Sequence, residues 1–398
     1  MRANKKDITL CIMAIILFHS SIIKFYYNPN GNIISLVLGV IVFLYLLLKY
    51  KIFFKKKYIK INGMIITFVA IALLSTFFND FYNLDGTLLY ILKFINLFLF
   101  FEYSGELDKN KKVASIFFIL LLFYDILTII MINNTPFLAY YHNYQYPFFA
   151  SKFTLSYYFM VTIILYIYAY KEFIVKKIIP KTFLILLFAV SIYMANKVNC
   201  VTGIIGNLLL IAMLILPFKA IGNIVKNKNI IIIIMIISSF VLIVFYDIFM
   251  NIPFVNHLVV DIFGRSITLS GRTVVYQKIP EYLFSLKGLT FGYSYDGARR
   301  IFQEVMYISS GHYAFDAQNA LLEIWMYFGC IGSISFLTLT KSIYSTYDHK
   351  NGKYNKEIYI LAFVFIVLGV VEITYSFPLF LMFSIINSDN KAIVKEKF

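Results

Sequence analysis

Long apolar runs, separated by short segments rich in lysine, recur along the whole chain. The run at 230–246, IIIIIMIISSFVLIVFY, contains no charged residue. Hydrophobic residues make up 61% of the sequence and charged residues 14%, whereas a soluble domain is about half apolar and about a quarter charged. The sequence therefore predicts an all-α polytopic membrane protein.

Twelve of the apolar runs are predicted to cross the membrane. Several are shorter than the ~20 residues that a bilayer crossing needs, so tilted or re-entrant helices are expected among them. The predicted spans are 8–23, 33–48, 61–78, 87–101, 113–132, 154–170, 182–194, 201–218, 230–246, 320–340, 358–374 and 377–387. They divide the chain into nine spans (1–246), one large external loop (247–319), and three spans with a C-terminal tail (320–398).

The lysine clusters predict the orientation of these spans. Segments such as KYKIFFKKKYIK and KEFIVKKIIPK fall on one side together with both chain ends, whereas NDFYNLDG on the other side has no basic residue. Because basic loops face the cytoplasm, both termini are predicted to be cytoplasmic. The net charge of +16 does not indicate nucleic-acid binding, because the lysines lie between apolar runs, where they meet anionic lipid headgroups.

The external loop is the only long hydrophilic segment. Two stretches in it have amphipathic helical patterns, one starting at Val274 and the other running from Ala298 to Ile308. Short helices of this kind are expected to lie on the bilayer surface or to cover the spans.

Nearly all the arginine of the chain lies in this loop. Of the five arginines, four are Arg265, Arg272, Arg299 and Arg300. The outer face is where basic residues are disfavoured, and the planar fork of arginine binds phosphate and carboxylate with two parallel hydrogen bonds. The cluster predicts an anionic, phosphate-bearing substrate. The alternative is that the arginines pair with neighbouring carboxylates, such as Asp296 or Glu304, or with lipid phosphate.

Motifs in and after the loop resemble the polytopic polysaccharide polymerases (Wzy-type) and the O-antigen ligases of bacteria. In SGRTVVYQKIPEYLFSLKGLTFGYS, the pair Gly271-Arg272 precedes an amphipathic helix and a glycine turn. In AQNALLEIWMYFGCIG, the loop closes with Asn319, and Gly329 and Gly332 follow at the family spacing.

Two positions depart from the family pattern, and a third match is loose. Ser294 stands where the turn of the family has a second glycine, and Gln318 stands where it has a histidine. Lys197, in ANKVNCVTGIIG, is similar to the Ser-Arg or Ser-Lys pair at the outer start of a middle span, without the serine.

The resemblance implies a membrane-embedded glycosyltransferase of the bacterial inner (plasma) membrane. It would transfer a growing glycan from polyprenyl diphosphate onto a new lipid-linked repeat unit of an O-antigen, a capsule or another exopolysaccharide. The implied partners are the polyprenyl-diphosphate-linked oligosaccharide, the bilayer, and a chain-length regulator and flippase of the same pathway. No cofactor and no metal are expected, because no carboxylate pair has a convincing outer position.

The candidate residues follow from this chemistry, in which negative charge builds on a leaving diphosphate. The residues expected to act on the leaving group are Arg272, Arg265 and Lys197. Those expected to bind a second diphosphate or sugars are Arg299, Arg300, Gln318 and Asn319. Glu323 and His312 are the candidates for a base that takes the proton of the acceptor hydroxyl.

Two other functions are considered. An O-antigen ligase would need the histidine whose position Gln318 occupies, and glutamine cannot take a proton at neutral pH. A lipid-linked oligosaccharide flippase would place its basic residues in a central cavity and have short external loops. The three cysteines, Cys11, Cys200 and Cys330, are too far apart in sequence to predict a metal site or a disulfide framework.

Overall fold

The structure is a computed structural model, and it describes residues 5–21, 31–49, 59–79, 84–133, 145–146, 150–216, 224–225, 227–250, 252–257, 261, 272–305, 307–309, 312–313, 316–345 and 356–395. These residues form helices joined by short turns and irregular segments, together with two small hairpins. The helices are α1 (Lys5–Ser21), α2 (Gly31–Lys49), α3 (Ile59–Phe77), α4 (Leu84–Glu106), α5 (Asn110–Asn133), α6 (Lys152–Lys176), α7 (Ile178–Lys197), α8 (Val201–Ile215), α9 (Lys228–Met250), α10 (Pro253–His257), α11 (Arg272–Leu283), α12 (Leu286–Leu289), α13 (Tyr295–Val305), α14 (Ala320–Ser345), α15 (Lys356–Leu368) and α16 (Phe377–Lys395). The hairpins pair β1 (Gln145–Tyr146) with β2 (Ala150–Ser151) and β3 (Tyr307–Ser309) with β4 (His312–Tyr313).

Six helices among the described residues are long and apolar enough to cross a membrane. They are Lys60–Phe77, Leu84–Glu106, Asn110–Ile132, Lys152–Lys176, Ile178–Lys197 and Ala320–Ser345. Four shorter apolar segments are Ile33–Leu48, Val201–Ile215, Lys228–Val241 and Phe377–Asp389. The chain thus has the character of a membrane protein. A helix covers most of each of the twelve predicted spans, and the crossing of the membrane by all twelve stays a prediction.

An aromatic core joins α3, α4, α14 and α16. The Phe68 ring lies 5.4 Å from Phe94 and 5.5 Å from Phe328, in edge-on arrangements. Phe94 in turn lies 4.8 Å from Phe380. Edge-to-face pairs of buried rings add to the stabilisation from apolar burial, so these four helices form a common support for the residues at their ends.

Polar contacts gather one set of helix ends. Asp7 at the start of α1 forms salt bridges with two lysines at the start of α5, Lys109 and Lys112. The Lys112 Nζ atom lies 3.0 Å from the Asp7 carboxylate. Hydrogen bonds from these two lysines hold the pKa of Asp7 below its ordinary value. At the same end, Lys171 of α6 lies 2.8 Å from Glu357 at the start of α15.

Other hydrogen bonds join helices at the opposite end of the bundle. The Ala320 N–H at the start of α14 donates to the Gly369 carbonyl just after α15, at 2.8 Å. Lys152 at the start of α6 donates to the Asn199 carbonyl just after α7, at 3.4 Å. Which of the two ends faces the cytoplasm is a prediction from the lysine pattern.

Both amphipathic helices predicted within residues 247–319 are present. In α11, Val275, Ile279 and Leu283 are buried while Gln277 and Glu281 are exposed, as the helical pattern predicts.

The bounds predicted for the second amphipathic helix, 298–308, were wrong at both ends. The helix starts at Tyr295, because the Ser294 hydroxyl accepts a hydrogen bond from the Gly297 N–H at 3.3 Å and caps it. It stops at Val305, because β3 follows and pairs with β4.

Candidate functional site

Glu323 lies in the first turns of α14 and is 1% exposed. Its Oε2 accepts a hydrogen bond from the Ala317 N–H at 2.6 Å. Its Oε1 is buried without a hydrogen bond of ordinary geometry in the described part of the chain, although Tyr327, one turn further along, is close enough to interact with the carboxyl group. A buried carboxyl group with incomplete hydrogen bonding is costly, so its presence suggests a use.

Three tyrosines from three helices surround this position. The ring of Tyr295 in α13 lies 4.8 Å from that of Tyr327 in α14 and 5.7 Å from that of Tyr90 in α4. The Tyr90 hydroxyl is buried without a hydrogen-bond partner among the described residues. The Tyr90 hydroxyl is therefore available near Glu323, inside an otherwise aromatic environment.

Arg299 connects this buried group to the surface. Its guanidinium lies over the Tyr295 ring, 5.7 Å from the ring centroid, while the side chain as a whole is exposed. It interacts electrostatically with Asp296 and with Glu323. A guanidinium held over an aromatic face keeps its N–H groups free to bind an anion at its edge.

Asp296, on the same helix as Arg299, packs against the start of α4. Its Oδ2 is buried without a hydrogen-bond partner in the described structure and lies against Gly86, where a Cβ atom would overlap it. Burial raises the pKa of Asp296 to about 6, Arg299 opposes this shift and Asp85 adds to it. The close approach explains why a glycine is present at position 86.

Asn319 has a structural role at the start of α14. It is fully buried, and its Oδ1 accepts hydrogen bonds from the N–H groups of Leu321 and Leu322 at 3.1 and 3.0 Å. Ser239 of α9 also donates to this oxygen, at 3.0 Å, and the Asn319 amide donates to the Val370 carbonyl, at 2.8 Å. Asn319 thus caps α14 and joins it to two other parts of the bundle.

Gln318 precedes this cap in a left-handed backbone conformation, with φ 51°. Its side-chain amide donates to the Asp316 carboxylate. The backbone carbonyl of Gln318 accepts a hydrogen bond from the Tyr276 hydroxyl at 3.1 Å. Gln318 therefore fixes the turn that leads to Glu323.

The two neighbouring arginines of α13 differ in their surroundings. Arg300 is exposed and forms a salt bridge with Glu304 at 2.5 Å, one turn away. This is the carboxylate pairing considered above as an alternative for the arginines, and such exposed pairs contribute about 0–1 kcal/mol. Of this arginine pair, Arg299 is the one that packs on Tyr295 and interacts electrostatically with Glu323.

The other candidate residues are placed as follows. Lys197 is exposed at the last position of α7, which packs mainly on α6 and α8, so the structure does not bring it to Glu323. Arg272 is the first residue of α11, and His312 belongs to β4. The side chains of these two residues, and the whole of Arg265, lie outside the described residues.

The structure thus brings together Arg299, Gln318, Asn319 and Glu323, together with Tyr90, Tyr295, Tyr327 and Asp296. The arrangement offers a cation at the surface for an anionic group and a buried carboxyl group behind it. Among the described residues, no group of three or more His, Cys, Asp or Glu side chains could hold a metal ion. Comparison of the chain with protein-family models, with curated proteins and with solved structures gives no significant match.

Proposed function

We propose that this protein is a polysaccharide polymerase that transfers a growing glycan from polyprenyl diphosphate onto a lipid-linked repeat unit. The reaction would take place at the outer face of the bacterial plasma membrane. The observation that carries the proposal is the buried carboxyl group of Glu323, with Arg299 held over the Tyr295 ring, which packs on the ring of Tyr327 one turn from Glu323. The motif resemblance supplies the substrate class.

Arg299 fits the needs of the leaving group. As the glycosidic bond breaks, its electron pair leaves with the diphosphate, and negative charge builds on the bridging oxygen. A guanidinium fixed over Tyr295 would stabilise this charge more in the transition state than in the ground state, because it is already oriented. Arg272, at the start of α11, stays a second candidate for the same role.

Glu323 fits the needs of the acceptor. The acceptor hydroxyl must form a bond with the anomeric carbon and lose its proton. A carboxylate with one oxygen free of ordinary hydrogen bonds can take this proton, since Oε2 is held in place by the Ala317 N–H. The products are then the extended glycan, free polyprenyl diphosphate and a protonated Glu323.

Substitution of Arg299 tests the proposal. In a strain that carries Arg299→Ala, long chains should disappear, because losing a donor aimed at a developing oxyanion typically costs about 10²–10³ in rate. Arg299→Lys keeps the charge and loses the planar fork, so shorter chains should remain. Glu323→Gln should also abolish long chains. The measurement is polymer length on a gel, with a blot for protein amount.

The matched control is Arg2→Ala, which lies at the predicted cytoplasmic end and should leave chain length unchanged. Arg300→Ala should have a much smaller effect than Arg299→Ala, because Arg300 is engaged by Glu304. Normal chains from both Arg299→Ala and Glu323→Gln would refute the proposed site.

A deletion strain separates the three functions. A polymerase strain should still make and translocate single repeat units. Accumulation of lipid-linked units on the cytoplasmic face would indicate a flippase instead. Long chains that form on the lipid carrier but never reach a final acceptor would indicate a ligase.

A further inference from the structure

Helix α14 is interrupted at Gly329, where φ is 69° and ψ is −175°. In a regular helix the Met326 carbonyl would accept from the N–H four residues later, and the Ile331 N–H would donate four residues back. Here the Met326 carbonyl accepts from the Tyr293 N–H at 2.9 Å, and the Ile331 N–H donates to the Thr290 carbonyl at 3.4 Å. The turn of the external loop at 290–293 thus takes over hydrogen bonds that the helix has lost.

Two glycines allow the turn and the helix to approach this closely. A Cβ atom on Gly292, where φ is 74°, would overlap the backbone at Gly329. A Cβ atom on Gly329 would overlap the Thr290 carbonyl. Backbone therefore packs directly on backbone between the loop and α14.

Ser75, near the end of α3, completes this junction. Its side chain is 0% exposed. Its hydroxyl donates to the Tyr327 carbonyl at 2.7 Å and accepts from the Ser294 N–H at 3.0 Å. One oxygen atom thus links the carbonyl freed by the interruption of α14 to the residue that caps α13.

The two partners of Ser75 lie directly beside the candidate site. Ser294 precedes α13, which carries Tyr295 and Arg299, and Tyr327 lies one turn after Glu323 on α14. Asn79 supports the same turn, since its amide donates to the Gly292 carbonyl at 2.9 Å.

We infer that Ser75 is a positioning residue, whose hydroxyl holds the start of α13 on the interrupted helix α14 so that Arg299 stays beside Glu323. This inference rests on the proposed function of that site. Without the hydroxyl, the Tyr327 carbonyl and the Ser294 N–H would both be buried and unpaired, which favours separation of the two helices.

Amide hydrogen exchange of the purified full-length protein in detergent tests the junction without any assay of activity. In Ser75→Ala, the amides from Ser294 to Ala298 should exchange at least about tenfold faster, since the loss of a partner by even one of the two buried polar groups would give a change of this size. The matched control is Ser384→Ala. Ser384 is equally buried, but its hydroxyl donates to the Leu381 carbonyl of its own helix at 2.9 Å, so exchange at 294–298 should not change. Unchanged exchange in Ser75→Ala would overturn the inference.

Polymer length per protein molecule tests the consequence for the site. Ser75→Ala should shorten the chains, and Ser75→Thr, which keeps the hydroxyl, should restore most of the length. Equal loss in both variants, or normal chains in Ser75→Ala despite faster exchange, would show that Ser75 does not position the site. Normal chains in Arg299→Ala and Glu323→Gln would refute the proposed function itself, whereas the exchange result would still report on the junction.

Discussion

Ser294 occupies a backbone conformation that residues with a Cβ atom rarely adopt, with φ 65°. This is the position at which the sequence departs from the Gly-x-Gly turn of the polymerase and ligase families. The conformation is one that glycine adopts readily, and its cost at a serine is offset by the cap that the Ser294 hydroxyl provides for α13.

Asp296 gives a pH-dependent prediction at the residue scale. Its pKa in the folded protein is about 6, against an ordinary value of 3.8, chiefly because of burial. The folded state therefore binds the proton more readily than the unfolded state, and the contribution of Asp296 to stability falls as pH rises through this window. Above about pH 6 the full cost of the buried carboxylate is present.

Asp296→Asn removes this cost. The variant should melt at a higher temperature than the wild type at pH 7.5, and the difference should shrink as the pH falls towards 4.5. Melting in detergent at several pH values measures this. The control is Glu304→Gln, an exposed carboxylate on the same helix, which should give a small difference at every pH. A variant that is less stable than the wild type at pH 7.5 would contradict this account.

At the element scale, the local pattern of the sequence predicted the helices but not their meeting points. The buried stripe of α11 follows from helical spacing alone. The start of α13 does not, because Ser294 caps it from a left-handed conformation in which its N–H is bound by Ser75, far away in sequence. Tyr90, Tyr295 and Tyr327 could not be predicted either, since three helices from distant parts of the chain bring them together and no sequence motif marks them.

Gly329 and Gly63 form a matched pair for a stability prediction. Gly329 has a backbone conformation that is essentially restricted to glycine, and a Cβ atom there would overlap the Thr290 carbonyl. Gly63, in α3, has nothing within 4 Å of such an atom. Gly329→Ala should therefore lower the melting temperature strongly or prevent folding.

Gly63→Ala should do the opposite, because alanine loses less conformational entropy in a helix, a gain of roughly 0.5–1 kcal/mol. Thermal melting of both purified variants in detergent compares them directly. If Gly329→Ala melts like the wild type, the contact between the loop turn and α14 is not as close as described.

At the scale of the whole molecule, the apolar runs were sufficient to predict the helices, because a bilayer leaves the backbone few alternatives to helical hydrogen bonding. The apolar runs do not determine in the same way how many of these helices cross the membrane. In the part of the chain that the structure describes, six helices meet the length and hydropathy of a span, while others, such as Val201–Ile215, are short. Short apolar helices are stable in this fold because they are packed among longer ones, which a single sequence does not reveal.

The orientation of the molecule provides the last prediction. The structure gathers the start of α1, the start of α5 and the start of α15 at one end, through Asp7 and through the salt bridge of Lys171 with Glu357. The residues of the candidate site lie at the helix ends opposite to these. Because Lys109, Lys112 and Lys171 lie at the first end, the positive-inside rule predicts that it faces the cytoplasm and that the site faces outwards.

Reporter fusions along the chain test this orientation. A fusion at Lys287, which is exposed in α12 and donates to Asn79 at 3.2 Å, should report an external location. Fusions in the lysine-rich segment at 51–57 and at the C-terminus should report a cytoplasmic one. A polymerase of translocated units needs its diphosphate-binding cation on the outer side, where those units arrive. If the fusion at Lys287 reports the cytoplasm, Arg299 and Glu323 lie on the wrong face for this reaction, and a function at the cytoplasmic surface must replace it.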